Sequence, residues 1–154
     1  MNFTKEQIKN LKSPPHLNEI VPAYVVDVYD GDTCTVIYNI NQEPFMINVR
    51  LAGIDTPEKH AKNDLEKKAS SLIEDYVKKL ILNKTVNLEI IGWDKYGGRI
   101  VGYIYCDEID NENKCLNTLL LNENLAKSFT GKTKKDIWIN EELGNIIDYF
   151  NNSK

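Results

Sequence analysis

The hydrophobic pattern changes period twice along the chain. In VPAYVVDVYDGDTCTVIYNI, residues 21–40, apolar and polar residues alternate, and the alternation breaks at Asp30-Gly31. Period-two alternation marks a half-buried strand and Asp-Gly favours a short hairpin turn, so this stretch predicts strand, turn and strand. EPFMINVRLAGI alternates with Phe45, Ile47, Val49 and Leu51 on one face and Met46, Asn48 and Arg50 on the other. Arg50 therefore points away from the core row. From Asp64 the period lengthens. Leu65, Ala69, Leu72, Ile73, Tyr76, Val77 and Leu80 follow helical spacing, with Glu74/Lys78 and Asp75/Lys79 as outward pairs one turn apart. KTVNLEII and RIVGYIYC then flank GWDKYGG as a further hairpin. CLNTLLLNENLAKSF predicts a short helix, with Asn124 as a left-handed stop, and Leu143, Ile146, Ile147 and Phe150 mark a C-terminal amphipathic helix. At the other end, Thr4 with Gln7 forms a capping box for a short helix that Pro14-Pro15 terminates.

The order is three strands, a helix, two strands and two helices, which predicts an α+β fold. Its core is a five-stranded OB-type β-barrel with about three packed α-helices, plus a short N-terminal helical extension. Residues 1–18 are assigned to the extension and 19–150 to the barrel domain. A chain of 154 residues is long enough to bury a sizeable core without a disulfide or structural metal. Cys34, Cys106 and Cys115 lack metal-ligand spacing and read as reduced, buried or half-buried thiols, while His16 and His60 are too far apart in sequence to suggest zinc. The N-terminus lacks the apolar segment of a signal peptide, and no apolar run reaches transmembrane length. The expectation is a soluble intracellular, cytoplasmic monomer with no membrane partner. A net charge of −4 does not advertise a polyanion partner.

Three motifs carry candidate chemistry. Taken alone, YDGDT, IDTPE and WDKYGGR are each most simply turns. Together they bring carboxylates from Asp32, Asp55 and Glu58, the Thr56 carbonyl, and two guanidiniums from Arg50 and Arg99 to strand ends that a barrel can gather at one rim. Hard oxygen ligands suit Ca²⁺ or Mg²⁺. Paired guanidiniums suit phosphate oxygens, and a carboxylate off the metal can take a proton from water. Those parts describe phosphodiester hydrolysis.

With DGDT at 30–33, VRLAGIDTPE at 49–58, DKYGGR at 94–99 followed by VGYIY, and LLLNENLAK at 119–127, the sequence resembles the staphylococcal nuclease (thermonuclease-like) family over residues 20–140. The resemblance implies a Ca²⁺-dependent endonuclease acting on DNA and RNA, single-stranded or frayed, that breaks the 5′ P–O bond and leaves 3′-phosphates. It implies Asp32, Asp55 and the Thr56 carbonyl as Ca²⁺ ligands, with Asp30 a carboxylate behind them. Glu58 matches the general base, Arg50 and Arg99 the arginines that clamp the scissile phosphate, and Lys95 and Tyr96 the contacts to a terminal phosphate. The chain departs from the family in its acidic charge and in three places. The step after DKY is Gly97-Gly98-Arg99, one residue longer than usual, the loop after Glu58 is shorter, and the tyrosines that stack a base after LAK are missing, Thr130 standing where one is expected. Phe129 is the nearest aromatic, so Phe129 and Lys127 complete the expected substrate contacts. Local cations for the nucleic-acid backbone come from Lys127, Lys132, Lys134 and Lys135, with Lys59 and Lys62 after the bend.

Two other readings compete. One is a catalytically weak OB module that binds nucleic acid or a protein partner. The other is a structural domain whose carboxylates only cap turns. The intact set of Asp32, Asp55, Glu58, Arg50 and Arg99 favours the enzyme.

Overall fold

A computed structural model describes residues 1–95, 97–129 and 137–152. It contains the predicted barrel. Five strands, β1 (Ile20–Asp30), β2 (Thr33–Ile40), β3 (Glu43–Leu51), β5 (Thr85–Trp93) and β6 (Ile100–Tyr105), close in the order β1-β2-β3-β6-β5. Neighbours pair antiparallel except β3 and β6, whose parallel seam runs from Val49↔Ile100 to Leu51↔Gly102. Inward-facing residues of alternating strands fill the barrel. Val25, Val36, Val49, Leu88, Ile90, Ile100 and Ile104 are all fully buried.

Helix α2 (Asp64–Ile81) follows a two-residue strand, β4 (Ile54–Asp55), and packs Ala69, Ile73, Val77 and Ile81 inward. Its start lies where Asn63 Oδ1 accepts from Leu65 N at 2.8 Å, the side-chain cap that satisfies one of the orphan amides of a helix N-terminus. The expected outward pair Glu74–Lys78 is formed, at 2.7 Å. Helix α4 (Asn140–Asn152) lies against α2 through Tyr76, Tyr149 and Phe150, whose rings meet edge-on with centroids 5.0–6.4 Å apart.

The predicted short helix is shorter than its apolar run. α3 (Leu116–Asn122) ends before Asn124, which has the expected left-handed φ of 58°. Beyond it, Lys127–Ser128 forms a two-residue strand, β7, paired with β4. The extension carries α1 (Lys5–Leu11), opened by the predicted box: Thr4 N donates to Gln7 Oε1 at 2.8 Å and Gln7 N to Thr4 Oγ1 at 3.1 Å. Its far end docks on the barrel, where Asn18 N donates to Ile90 O at 2.7 Å and the Tyr38 hydroxyl to Pro15 O at 3.4 Å.

Two details lock the barrel's site end. A Cβ on Gly31 would lie 2.6 Å from Ile73 Cγ2, so only glycine lets α2 sit this close to the first hairpin. Asn117 of α3 is buried. Its Oδ1 accepts from Ile104 N at 3.2 Å, and its Nδ2 donates to Ala52 O at 2.9 Å and Gly102 O at 3.2 Å. One amide thus ties α3, β6 and the end of β3 together. Among the described residues no helix is long and apolar enough to cross a membrane.

Asn117→Ala should lower the unfolding free energy by about 1–3 kcal/mol, the usual cost of stranding buried polar groups, as read from the shift of a urea midpoint. The three thiols are free and buried, and burial first, then the charges of Asp27 and Asp30, pushes Cys34 up to about 12. Because the thiolate is the nucleophile, a disulfide reagent should label none of them quickly in the native protein and all of them in urea.

Candidate active site

The hairpin register sets the site. Asp30 pairs with Thr33, Thr33 with Arg50, and Arg50 with Val101, a single row across four strands. At the same end, Leu51 N donates to Asp32 O at 2.8 Å, fixing the first turn to the end of β3. The chain then turns at Gly53, where φ of 75° suits a residue without a side chain, and runs into β4. β4 pairs Asp55 with Lys127, and Phe129 N donates to Gly53 O at 2.9 Å. The small sheet therefore delivers Asp55 and Phe129 to the same rim.

Asp30, Asp32, Arg50, Asp55 and Thr56 are all buried there. Arg50 Nη1 lies 3.2 Å from Asp32 Oδ2, and Arg50 Nη2 lies 3.6 Å from Asp55 Oδ1. Asp32 Oδ2 also accepts from Thr56 N at 3.2 Å and Thr56 Oγ1 at 3.1 Å, while its Oδ1 accepts from Thr33 Oγ1 at 3.0 Å. Asp30 Oδ1 accepts from Asp32 N at 3.1 Å. Burial, and after it the Asp32 charge, pushes the Asp30 carboxyl up to about 7, with Arg50 opposing. Asp32 and Asp55 thus share the Arg50 guanidinium, and Asp30 joins the set through the Asp32 amide.

A cavity of about 330 Å³ opens above this cluster, near the lower end of the range of about 300–1,000 Å³ for small-molecule sites. It is lined by Asp30, Asp32, Arg50, Glu58, Lys95 and Arg99, with Tyr29, Thr33 and Phe129. Residues assigned from three separate sequence motifs therefore meet in one concavity. Asp55 and Thr56 do not line it; they stand one residue further in, reached through Arg50 and Asp32. Glu58 is exposed on the bend, its own amide donating to Glu66 Oε2 at 2.8 Å. The longer glycine step brings Arg99 to the cavity by closing on Asp94. Asp94 Oδ2 accepts from Arg99 Nε at 2.8 Å, and its Oδ1 accepts from Gly98 N at 3.1 Å and Arg99 N at 3.4 Å. Burial works to raise the Asp94 carboxyl, but these donors outweigh it and hold it below its usual value.

Lys127 lies outside the cavity lining. Its Nζ is 2.8 Å from Glu142 Oε1, donates to Ile137 O at 3.1 Å, and sits 4.7 Å from the Trp138 ring centroid, so it bridges β7 to the start of α4. Phe129 lines the cavity beneath Arg50, whose guanidinium carbon is 5.7 Å from its ring centroid. Tyr96, Thr130, Lys132, Lys134 and Lys135 lie outside the described residues. Tyr29, Thr33, Glu66 and Asp94 also belong to the site, and sequence reasoning passed over them. Asp94 alone had a legible signal, as the acid that opens the loop ending in Arg99.

Among the described residues no three carboxylate, imidazole or thiolate groups are gathered into a ready metal cage. The donors present are nonetheless all oxygen and in charge excess, which fits a hard divalent cation held by few protein ligands and completed by water.

The family model for the staphylococcal nuclease homologue matches residues 48–143, most of the chain. That segment includes Arg50, Asp55, Thr56, Glu58, Lys95 and Arg99, while Asp30 and Asp32 lie ahead of it and are joined to it by the barrel row. No curated protein matches the chain. A closed five-stranded barrel and a family match over more than half the sequence lead to one assignment: this chain belongs to the staphylococcal nuclease homologue family.

Proposed function

We propose that the protein is a Ca²⁺-dependent nuclease that hydrolyses phosphodiester bonds in DNA and RNA, breaking the 5′ P–O bond and leaving 3′-phosphates. The observation that carries this reading is the convergence of Arg50, Glu58, Lys95 and Arg99 with Asp30 and Asp32 on one cavity.

In this reading Arg50 and Arg99 grip the scissile phosphate. Their planar forks match its oxygens, and each is held from behind by carboxylates, Arg50 by Asp32 and Asp55 and Arg99 by Asp94. Anchored donors need no reorganisation as charge builds on the phosphoryl oxygens, and one such donor is worth about 3–4 kcal/mol. Glu58 takes the proton of the attacking water, its place on the bend fixed by Glu66. The water oxygen bonds to phosphorus, and the 5′ oxygen departs and takes up a proton. Asp32 and Asp55 with the Thr56 carbonyl, and Asp30 behind them, are the residues that would hold Ca²⁺, whose chemistry there is charge stabilisation of a phosphate oxygen. Lys95, exposed at the rim, meets a neighbouring phosphate.

Single-stranded DNA incubated with Ca²⁺, Mg²⁺ or chelator tests this directly. Cleavage should need Ca²⁺, and Glu58→Gln should lower kcat by about 10²- to 10⁴-fold. DNA that binds but is never cut, with any cation, would instead make the cavity a binding module. The net charge of −4 leaves affinity to a few local cations, so log KM should climb with log salt by about 0.7 for each phosphate contacted on a single strand. A flat dependence would contradict the phosphate clamp.

A further inference from the structure

One side chain of the cavity has no part in that chemistry. Tyr29 is a large ring, 45% exposed, at the edge of a concavity otherwise rich in charge. Its position comes from a break in the ladder: Val28 faces Cys34 and Asp30 faces Thr33, so Tyr29 is the extra residue of a β-bulge. Bulges re-aim side chains beside active sites, and here the bulge turns an aromatic ring to the rim next to Asp30.

The ring is held in place. Lys59 Nζ lies 4.6 Å from its centroid and is itself fixed by Tyr29 O at 2.9 Å and Glu74 Oε1 at 3.1 Å. His60 Nε2 lies 3.0 Å from the hydroxyl. Both partners come from the segment just after Glu58, so the ring moves with the bend that carries that carboxylate. Phe129, the other aromatic lining the cavity among the described residues, is half-buried and already packed by Arg50.

We propose that Tyr29 is a base-stacking residue, the aromatic floor on which an unpaired nucleobase rests while its backbone phosphate occupies the arginines. The proposal rests on the nuclease reading and deepens it. A ligand that satisfies both halves of this cavity must carry a phosphate anion and a flat π-face within one nucleotide of each other. A single strand offers that pair, whereas a duplex keeps its bases stacked on one another. Lys59, beside the ring, adds a cation for the same strand's backbone. Tyr29 therefore sets a preference for single-stranded or frayed substrate by stacking a base beside the arginines of the cavity.

The test is binding, read by fluorescence anisotropy in the Glu58→Gln background with Ca²⁺ present. The probes are a labelled oligothymidylate and an abasic oligomer of the same length and charge. Tyr29→Ala and Tyr29→Leu should each weaken the oligothymidylate by about 5- to 100-fold, the range for loss of one base–aromatic stack, and leave the abasic oligomer unchanged. Tyr29→Phe should bind the oligothymidylate as the parent does, because it keeps the ring. Equal weakening of both probes would reduce Tyr29 to a structural role, and no weakening of either would remove it from the substrate path; either result overturns this inference and leaves the nuclease reading standing. A parent that binds neither probe would overturn both.

Discussion

The site depends on a buried charge cluster at one end of the barrel. Asp30, Asp32, Asp55 and Arg50 are drawn out of water there. Each such ion costs several kcal/mol unless its partners are well placed. Arg50 meets two of the carboxylates and Thr56 meets one with both its amide and its hydroxyl. Much of the local architecture serves these contacts. Gly31 lets α2 press on the hairpin, Gly53 turns the chain back, and the two-residue sheet holds Asp55 in place. A hydrophobic substitute would pack such an end at lower cost, so the cluster is better understood as a device for charge than as a device for stability.

The arrangement also bears on how an acidic chain could take the polyanionic substrate proposed for it. Much of the acidity is turned to internal work. Asp94 anchors Arg99, Glu74 anchors Lys59, and Glu142 draws Lys127 away toward α4. What faces the cavity is a mixed surface whose cations are individually positioned. Affinity then comes from placement at a few points, and little of it from the long-range field.

The sequence disclosed the barrel because its strands are long enough to show period two, and it disclosed the capping box because Thr4 and Gln7 stand at a fixed offset. It could not disclose β4 and β7, since two residues carry no period. The bulge at Tyr29 was hidden for a related reason: one extra residue carries no period of its own, and only pairing against Thr33 and Cys34 reveals it. Asn117 looked like an ordinary polar position in a helix, its burial being a product of tertiary packing. The pairing of Lys127 with Glu142 was not legible because charge in a sequence says nothing of its partner, and Glu142 is distant along the chain. Arg50, Glu58, Lys95 and Arg99 line one cavity because turn residues at strand ends collect at a barrel's rim whatever the detail of the loops.

The parallel seam between β3 and β6 has a consequence for how the protein comes to exist. Antiparallel neighbours can zip outward from a short turn, but this seam joins strands separated by α2 and β5, and that long loop must close before the contact returns any free energy. During synthesis Asp30, Asp32 and Arg50 leave the ribosome well before Arg99, which lies at the threshold of β6. The nascent chain therefore holds Asp30, Asp32 and Arg50 before the second arginine of the cavity has emerged. Sealing the seam is what brings Arg99, at the threshold of β6, to the same cavity as Arg50.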